Sequence, residues 1–173
     1  MTLGVSTLLS EEEFLNLPES AGKQELLDGE LIELPPAKYF HGELAKRIAS
    51  LLETVVPRSR VWVEMAYRLA ARRWLQPDVS VSWPELRIED EWLQGAPLLA
   101  VEIASRGNTS EEIERKRVLY LEHGAAEVWI IYPKTHTMLV SRRDSSMHID
   151  ATAEYRCDLV GITVTPEYRT PVR

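Results

Sequence analysis

Two rhythms of apolar and polar residues run along this chain, and the points where one gives way to the other mark its elements. From Tyr39 to about Val56, apolar Leu44, Ile48, Leu51, Leu52 and Val55 recur at three- and four-residue spacing. That is the period of an amphipathic helix, which must end before Pro57. A second helix is expected over residues 110–123, with Asn108 to Ser110 offering caps and Gly124 the stop. Ser10 followed by Glu11, Glu12 and Glu13 is a capping-box arrangement that starts a short helix near residues 11–16, its carboxylates set where the helix dipole favours them.

Elsewhere the period shortens to two. KQELLDGELIELPP reads as two short strands about the Asp28–Gly29 turn, with Glu25 and Glu30 flanking it. Residues 60–69, RVWVEMAYRL, alternate as a strand, and ARRW then turns into the strand PDVSVS. LLAVEIA, over 98–104, is a nearly continuous apolar run of the kind covered on both faces. EVWIIY, over 127–132, is another, ended by Pro133 and followed by a weaker partner, HTMLVSRR. GITVTPEY adds a short strand in the tail, and Pro84 to Pro97 reads as a loop with at most one turn of helix. Strand 98–104, helix 110–123 and strand 127–132 form a right-handed crossover unit. The order of elements predicts an α/β (mixed α+β) fold, a mixed central sheet flanked by helices with an N-terminal hairpin, in a single domain over 1–173.

Composition narrows the setting. Hydrophobic residues make up 45% of the chain and charged residues 27%, as in ordinary globular proteins. No apolar run reaches the roughly 20 residues of a membrane-spanning helix. The opening MTLGVSTLLSEEEF has no basic segment to suggest a secretory signal, and the single Cys157 fits a reducing compartment, so a cytoplasmic protein is expected. The net charge of −7 argues mildly against a polyanion partner unless basic residues gather locally. Of the five tryptophans, Trp129 reads as core, whereas Trp83 and Trp92 in the proline-containing loop suggest an interface and a symmetric homodimer.

Chemistry concentrates between Pro77 and Pro133. A charged Glu102 within Leu98 to Ala104 is costly unless paired or bound to a cation. Asp78, at the start of PDVSV, is a second carboxylate on a strand end, and such a pair suits a hard divalent cation. Glu112, Lys116 and Tyr120 lie at i, i+4 and i+8, predicting one stripe on the following helix, about 6 Å apart. An ordinary exposed Glu112–Lys116 pair with a core Tyr120 is the plainer account of that stripe. The sequence carries no G-x-S-x-G elbow, Walker loop, HExxH or cysteine cluster, and His41, His123, His136 and His148 lack ligand spacing.

Taken together, ELLDGELIELPP, the His41–Gly42 pair, QPDVSV, VEIAS, ERKRVLYLEHGAAEVWIIYP and GITVTP resemble the Uma endonuclease family, within the PD-(D/E)xK nuclease superfamily. The resemblance implies a restriction-endonuclease-like core and a Mg²⁺- or Mn²⁺-dependent endonuclease acting on DNA. It matches Asp78 and Glu102 to the metal-binding acids and Lys116 to the catalytic lysine, with Ala104 standing where the superfamily usually has its lysine. Glu30 and His41 match acidic and histidine positions that would line the same cleft, and Glu112 and Tyr120, one turn to either side of Lys116, are further secondary candidates. The chain departs from the family at Ser105 to Thr109, where a Ser-Pro-Ser-Thr type loop is usual, and at Glu112, where an aspartate is usual. Those departures keep open a catalytically inactive module of the same fold that binds nucleic acid or protein. A metal-dependent hydrolase with a small substrate is a third, weaker reading.

Overall fold

The computed structural model describes residues 8–85, 87–89 and 91–166. Half of the N-terminal stretch read for a signal (1–7), positions 86 and 90 of the Pro84–Pro97 segment, and the end of the tail from 167 lie outside the described residues. Three helices form where periodicity and caps place them. Helix α1 (Glu11–Leu15) carries the full Ser10–Glu13 capping box. Helix α2 (Tyr39–Leu52) buries Ala45, Ile48, Ala49 and Leu52, and ends a turn earlier than its apolar pattern suggests. Helix α3 (Ser110–Glu122) opens on a Thr109–Glu112 capping box, and just beyond it Gly124 takes the left-handed φ of 104° that a helix stop favours.

The hairpin of β1 (Lys23–Leu27) and β2 (Glu30–Leu34) turns through Asp28 and Gly29, both at positive φ, as a tight two-residue loop requires. The predicted strand over 60–69 is two strands, β3 (Val61–Val63) and β4 (Tyr67–Ala70), which belong to different sheets. Glu64 takes a φ of 51° between them, a conformation that interrupts any strand. Of ARRW, only Ala71 and Arg72 turn; Arg73 and Trp74 begin β5 (Arg73–Leu75), which precedes β6 (Val79–Val81).

The Pro84–Pro97 segment contains strands β7 (Ile88–Glu89) and β8 (Trp92–Gln94), and no helix among its described residues. Only Leu93 of these is buried, too little apolar signal to read as a strand. Strands β9 (Leu99–Ile103), β10 (Glu127–Tyr132) and β11 (Thr137–Arg142) fall as the sequence indicates. The unpredicted β12 (Ser145–Ile149) buries only Ile149, and β13 (Tyr155–Cys157) pairs with the tail strand β14 (Ile162–Val164).

The fold is the mixed α+β expected, with twelve strands of the described residues divided between two six-stranded mixed sheets and β13 and β14 pairing by themselves. One runs β2-β1-β5-β4-β8-β7 and the other β12-β11-β10-β9-β6-β3. Within the second, β9 and β10 are parallel with α3 between them in the chain, while β6 lies antiparallel to β9. Alternation along β9 then decides the site. Leu99, Val101 and Ile103 enter a core shared with α2, Trp129 and Ile131, whereas Ala100 enters one shared with Leu119 and Tyr120 of α3. Glu102 therefore points toward α3, into an apolar layer where its charge must find a partner.

At the start of β10, buried Glu127 ties the C-terminal hairpin to the sheet. It accepts hydrogen bonds from Trp129 Nε1 (2.6 Å), Tyr155 (2.9 Å) and Arg142 Nε (2.7 Å).

Candidate active site

Asp78 and Glu102 come together through strand register. Val79 faces Val101 across the β6–β9 pair, so extending the antiparallel ladder by one residue sets Asp78 opposite Glu102 with both side chains on one face. Asp78 is then fixed at both oxygens. Oδ2 accepts the Ile103 backbone N–H at 2.6 Å, while Oδ1 accepts from Lys23 Nζ and lies 3.0 Å from His41 Nε2. Burial pushes the Asp78 carboxyl up, but the His41 hydrogen bond and the charges of Lys23, His41 and Lys116 outweigh it and hold the group well below the usual carboxylate range.

Glu102 has the opposite balance. Burial pushes it up to about 7, Lys116 opposes that, and the neighbouring charges of Asp78 and Glu25 add to the rise. Its Oε1 accepts a hydrogen bond from the Tyr120 hydroxyl at 2.8 Å and lies 2.7 Å from Lys116 Nζ. That ammonium also lies 2.8 Å from Glu25 Oε1 on β1. Burial disfavours the charged lysine, yet Glu102, Glu25 and Asp78 together hold it firmly protonated. Tyr120 is raised well above its ordinary value by burial and by Glu102, so it remains a neutral donor.

The predicted stripe on α3 is therefore two-thirds present. Lys116 and Tyr120 turn inward together, but Glu112 closes the helix N-terminus, its carboxylate accepting the Thr109 N–H at 2.7 Å. Glu30 is also drawn elsewhere, to Arg115 Nη1 at 2.7 Å. Neither lines the cleft.

Four contributors escaped sequence reading: Lys23, Glu25, Glu64 and Gln76. Lys23, Glu25 and Leu27 alternate on β1 and face the same way, and Leu27 shares its core with Tyr120. The logic that singles out Glu102 applies equally to Glu25, a carboxylate two positions before a buried leucine. Glu25 is fully buried; its Oε1 accepts the Gln76 N–H at 2.7 Å, while Oε2 has no hydrogen-bond partner among the described residues. Glu64 has no such signal, because it reaches the cleft only through its left-handed backbone.

Lys23, His41, Glu64, Gln76, Asp78 and Glu102 open onto a cleft of about 930 Å³, walled also by the loop from Ala104 to Asn108. Ligand atoms of His41, Glu64 and Asp78 all lie within 4.8 Å of one another, a donor set of one imidazole and two carboxylates. Such a set suits Mg²⁺ or Mn²⁺, the imidazole favouring the transition metal. Lys116 is 2% exposed and stands behind Glu102, leaving Lys23 as the lysine beside Asp78 on the cleft wall.

A family model described as "Putative restriction endonuclease", Uma2, matches residues 11–159. The chain belongs to the Uma2 family. Its fold also matches a crystal structure of "a putative nuclease belonging to DUF820" from Anabaena variabilis, with a TM-score of 0.82 and 22% identity, over 92% of this chain and 97% of that one. No curated protein matches the chain. The residues matched by the family model include every strand of the two six-stranded sheets and every residue that lines the cleft. No helix among the described residues is long and apolar enough to cross a membrane.

Proposed function

We propose that this Uma2-family protein is a divalent-metal-dependent endonuclease that hydrolyses phosphodiester bonds in DNA. The observation that carries the reading is the convergence of His41, Glu64 and Asp78 on one side of a cleft whose floor holds Glu102. Asp78, with Glu102 or with His41 and Glu64, would hold Mg²⁺ or Mn²⁺. A cation held there supplies Lewis-acid polarisation of a phosphoryl oxygen and a more acidic bound water.

The chain's own residues have distinct parts in this proposal. Lys23, 11% exposed in its side chain and beside Asp78, presents its ammonium to a phosphate entering the cleft. The Ile103 N–H fixes one Asp78 oxygen and leaves the other aimed at His41 and Lys23. Lys116 and Tyr120 act through Glu102, setting its rotamer and its charge, and so are positioning residues.

Supercoiled plasmid tests the reading. With Mg²⁺ or Mn²⁺ at low salt the parent protein should nick, a chelator should stop it, and Asp78→Asn and Glu102→Gln should each lower the rate at least about 100-fold, the scale of losing one essential electrostatic group. Equal nicking by parent and variants would reject this site. DNA binding without cleavage by a folded, metal-loaded parent would favour the inactive binding module.

A further inference from the structure

We infer that Tyr39 and Phe40 form a stacking platform for unpaired bases, which makes a single-stranded segment of DNA the substrate form that the cleft accepts. The inference rests on the nucleic-acid reading above and adds to it which form of nucleic acid enters.

Tyr39 and Phe40 open α2 and are 74% and 84% exposed, although rings of this size usually dominate cores and interfaces. Their centroids lie 5.5 Å apart at 74°, an edge-to-face pair that steadies both rings. Neither joins either core, because the buried face of α2 begins at Ala45. Phe40 nevertheless lines the cleft, and the next residue, His41, reaches Asp78. The rings thus stand one and two residues from the candidate chemistry, Phe40 on the cleft wall and Tyr39 packed against it.

The charge around them selects the occupant. Lys38 precedes the rings, and Arg106 and Lys134 line the same cleft. All three are exposed, and none makes an ion pair among the described residues. In a chain of net charge −7, three unpaired cations gathered at one opening form a local attraction for a polyanion. Cations that track a backbone, combined with exposed aromatic faces, are the physical means of holding single strands. A duplex offers this platform little, since each base face inside it is covered by its neighbours. The cleft volume, about 930 Å³, falls within the range of small-molecule sites and suits nucleotide-sized groups entering one at a time.

The test uses metal-free protein with chelator, so that binding is read without cleavage. Fluorescence anisotropy would follow a short labelled single strand and a duplex of the same sequence, for the parent, the Tyr39→Ala/Phe40→Ala double variant and Phe40→Trp. The parent should prefer the single strand. The double variant should lose about five- to a hundred-fold of single-strand affinity, the range for stacking one base, with duplex binding unchanged. Phe40→Trp should retain the parental preference. Unchanged single-strand binding by the double variant would overturn the platform while leaving the nucleic-acid reading intact, as would an equal loss for both forms. A parent that prefers the duplex overturns it too. A parent that binds neither form overturns both readings. A parental dimer that the double variant converts to monomer assigns the rings to self-association and overturns the inference.

Discussion

Lys116 Nζ lies 2.7 Å from Glu102 and 2.8 Å from Glu25, so one buried ammonium neutralises carboxylates from two different sheets. Removing it would leave two acids facing each other in an apolar layer. Lys116→Met should therefore destabilise the protein by about 3–5 kcal/mol, the usual consequence of breaking a buried ion pair from one side. Adding Glu25→Gln to that variant should recover part of the loss. Urea denaturation of the three proteins decides this, and equal midpoints for parent and Lys116→Met would show that the contact contributes nothing.

Lys23 touches the same network from the cleft side, its side chain 11% exposed and that of Asp78 4%. Lys23→Met breaks this largely buried pair from one side and should cost about 3 kcal/mol in stability, the low end for such a loss because His41 and the Ile103 N–H still hold Asp78. Metal binding should respond the other way. With its ammonium gone from Asp78, Mn²⁺ followed by electron paramagnetic resonance should bind more tightly, while plasmid nicking falls because the phosphate has lost its cation. Weaker Mn²⁺ binding would assign Lys23 to building the site.

Glu64 combines a strained backbone with a cleft-facing carboxylate. A non-glycine residue at positive φ costs of order 1–3 kcal/mol, offset in a glycine variant by the greater entropy of the unfolded chain. Glu64→Gly should leave stability unchanged or raise it by up to about 1 kcal/mol. Mn²⁺ affinity should fall in the same protein. A variant that loses stability without losing metal would make Glu64 a purely structural residue.

Acid should loosen α1 before it unfolds the core. Arg68 holds Glu11 through two hydrogen bonds, at 2.6 and 3.0 Å, and Trp74 Nε1 adds a third at 2.9 Å. The Arg68 hydrogen bond lowers the Glu11 carboxyl, burial opposes it, and Trp74 assists. A carboxyl lowered on folding contributes stability above its unfolded value of 4.5 and loses that contribution as pH falls through its folded value. Tryptophan emission of the parent should accordingly shift below pH 4.5, and Glu11→Gln should show the shifted emission at neutral pH. A parent emission that stays flat in acid would detach Glu11 from the docking of α1.

Much of the fold was legible because its strongest elements repeat one pattern for several residues. The helices α2 and α3 and the strands β9, β10 and β11 each bury several residues at a consistent spacing. Strands β8 and β12 each bury a single residue, so their pairing depends on neighbours brought from elsewhere in the chain. The site divides the same way. Asp78 and Glu102 stand out because each is a carboxylate attached to an apolar strand, and His41 because of its place beside Gly42 in the family pattern. Glu112 and Lys116 share helical spacing, but the free N–H groups at the start of α3 claim the glutamate first. Glu64 could not be read at all, since its contribution comes from a backbone turn that the surrounding strands impose.

A chain that ended at Ile103 would carry Glu25, Asp78 and Glu102 but not Lys116. Lys23 and His41 would still answer Asp78, whereas Glu25 and Glu102 would lose the ammonium they share. The two sheets are matched across these acids through a residue of the crossover helix, so the charge balance of the interior belongs to the whole crossover and to neither sheet alone.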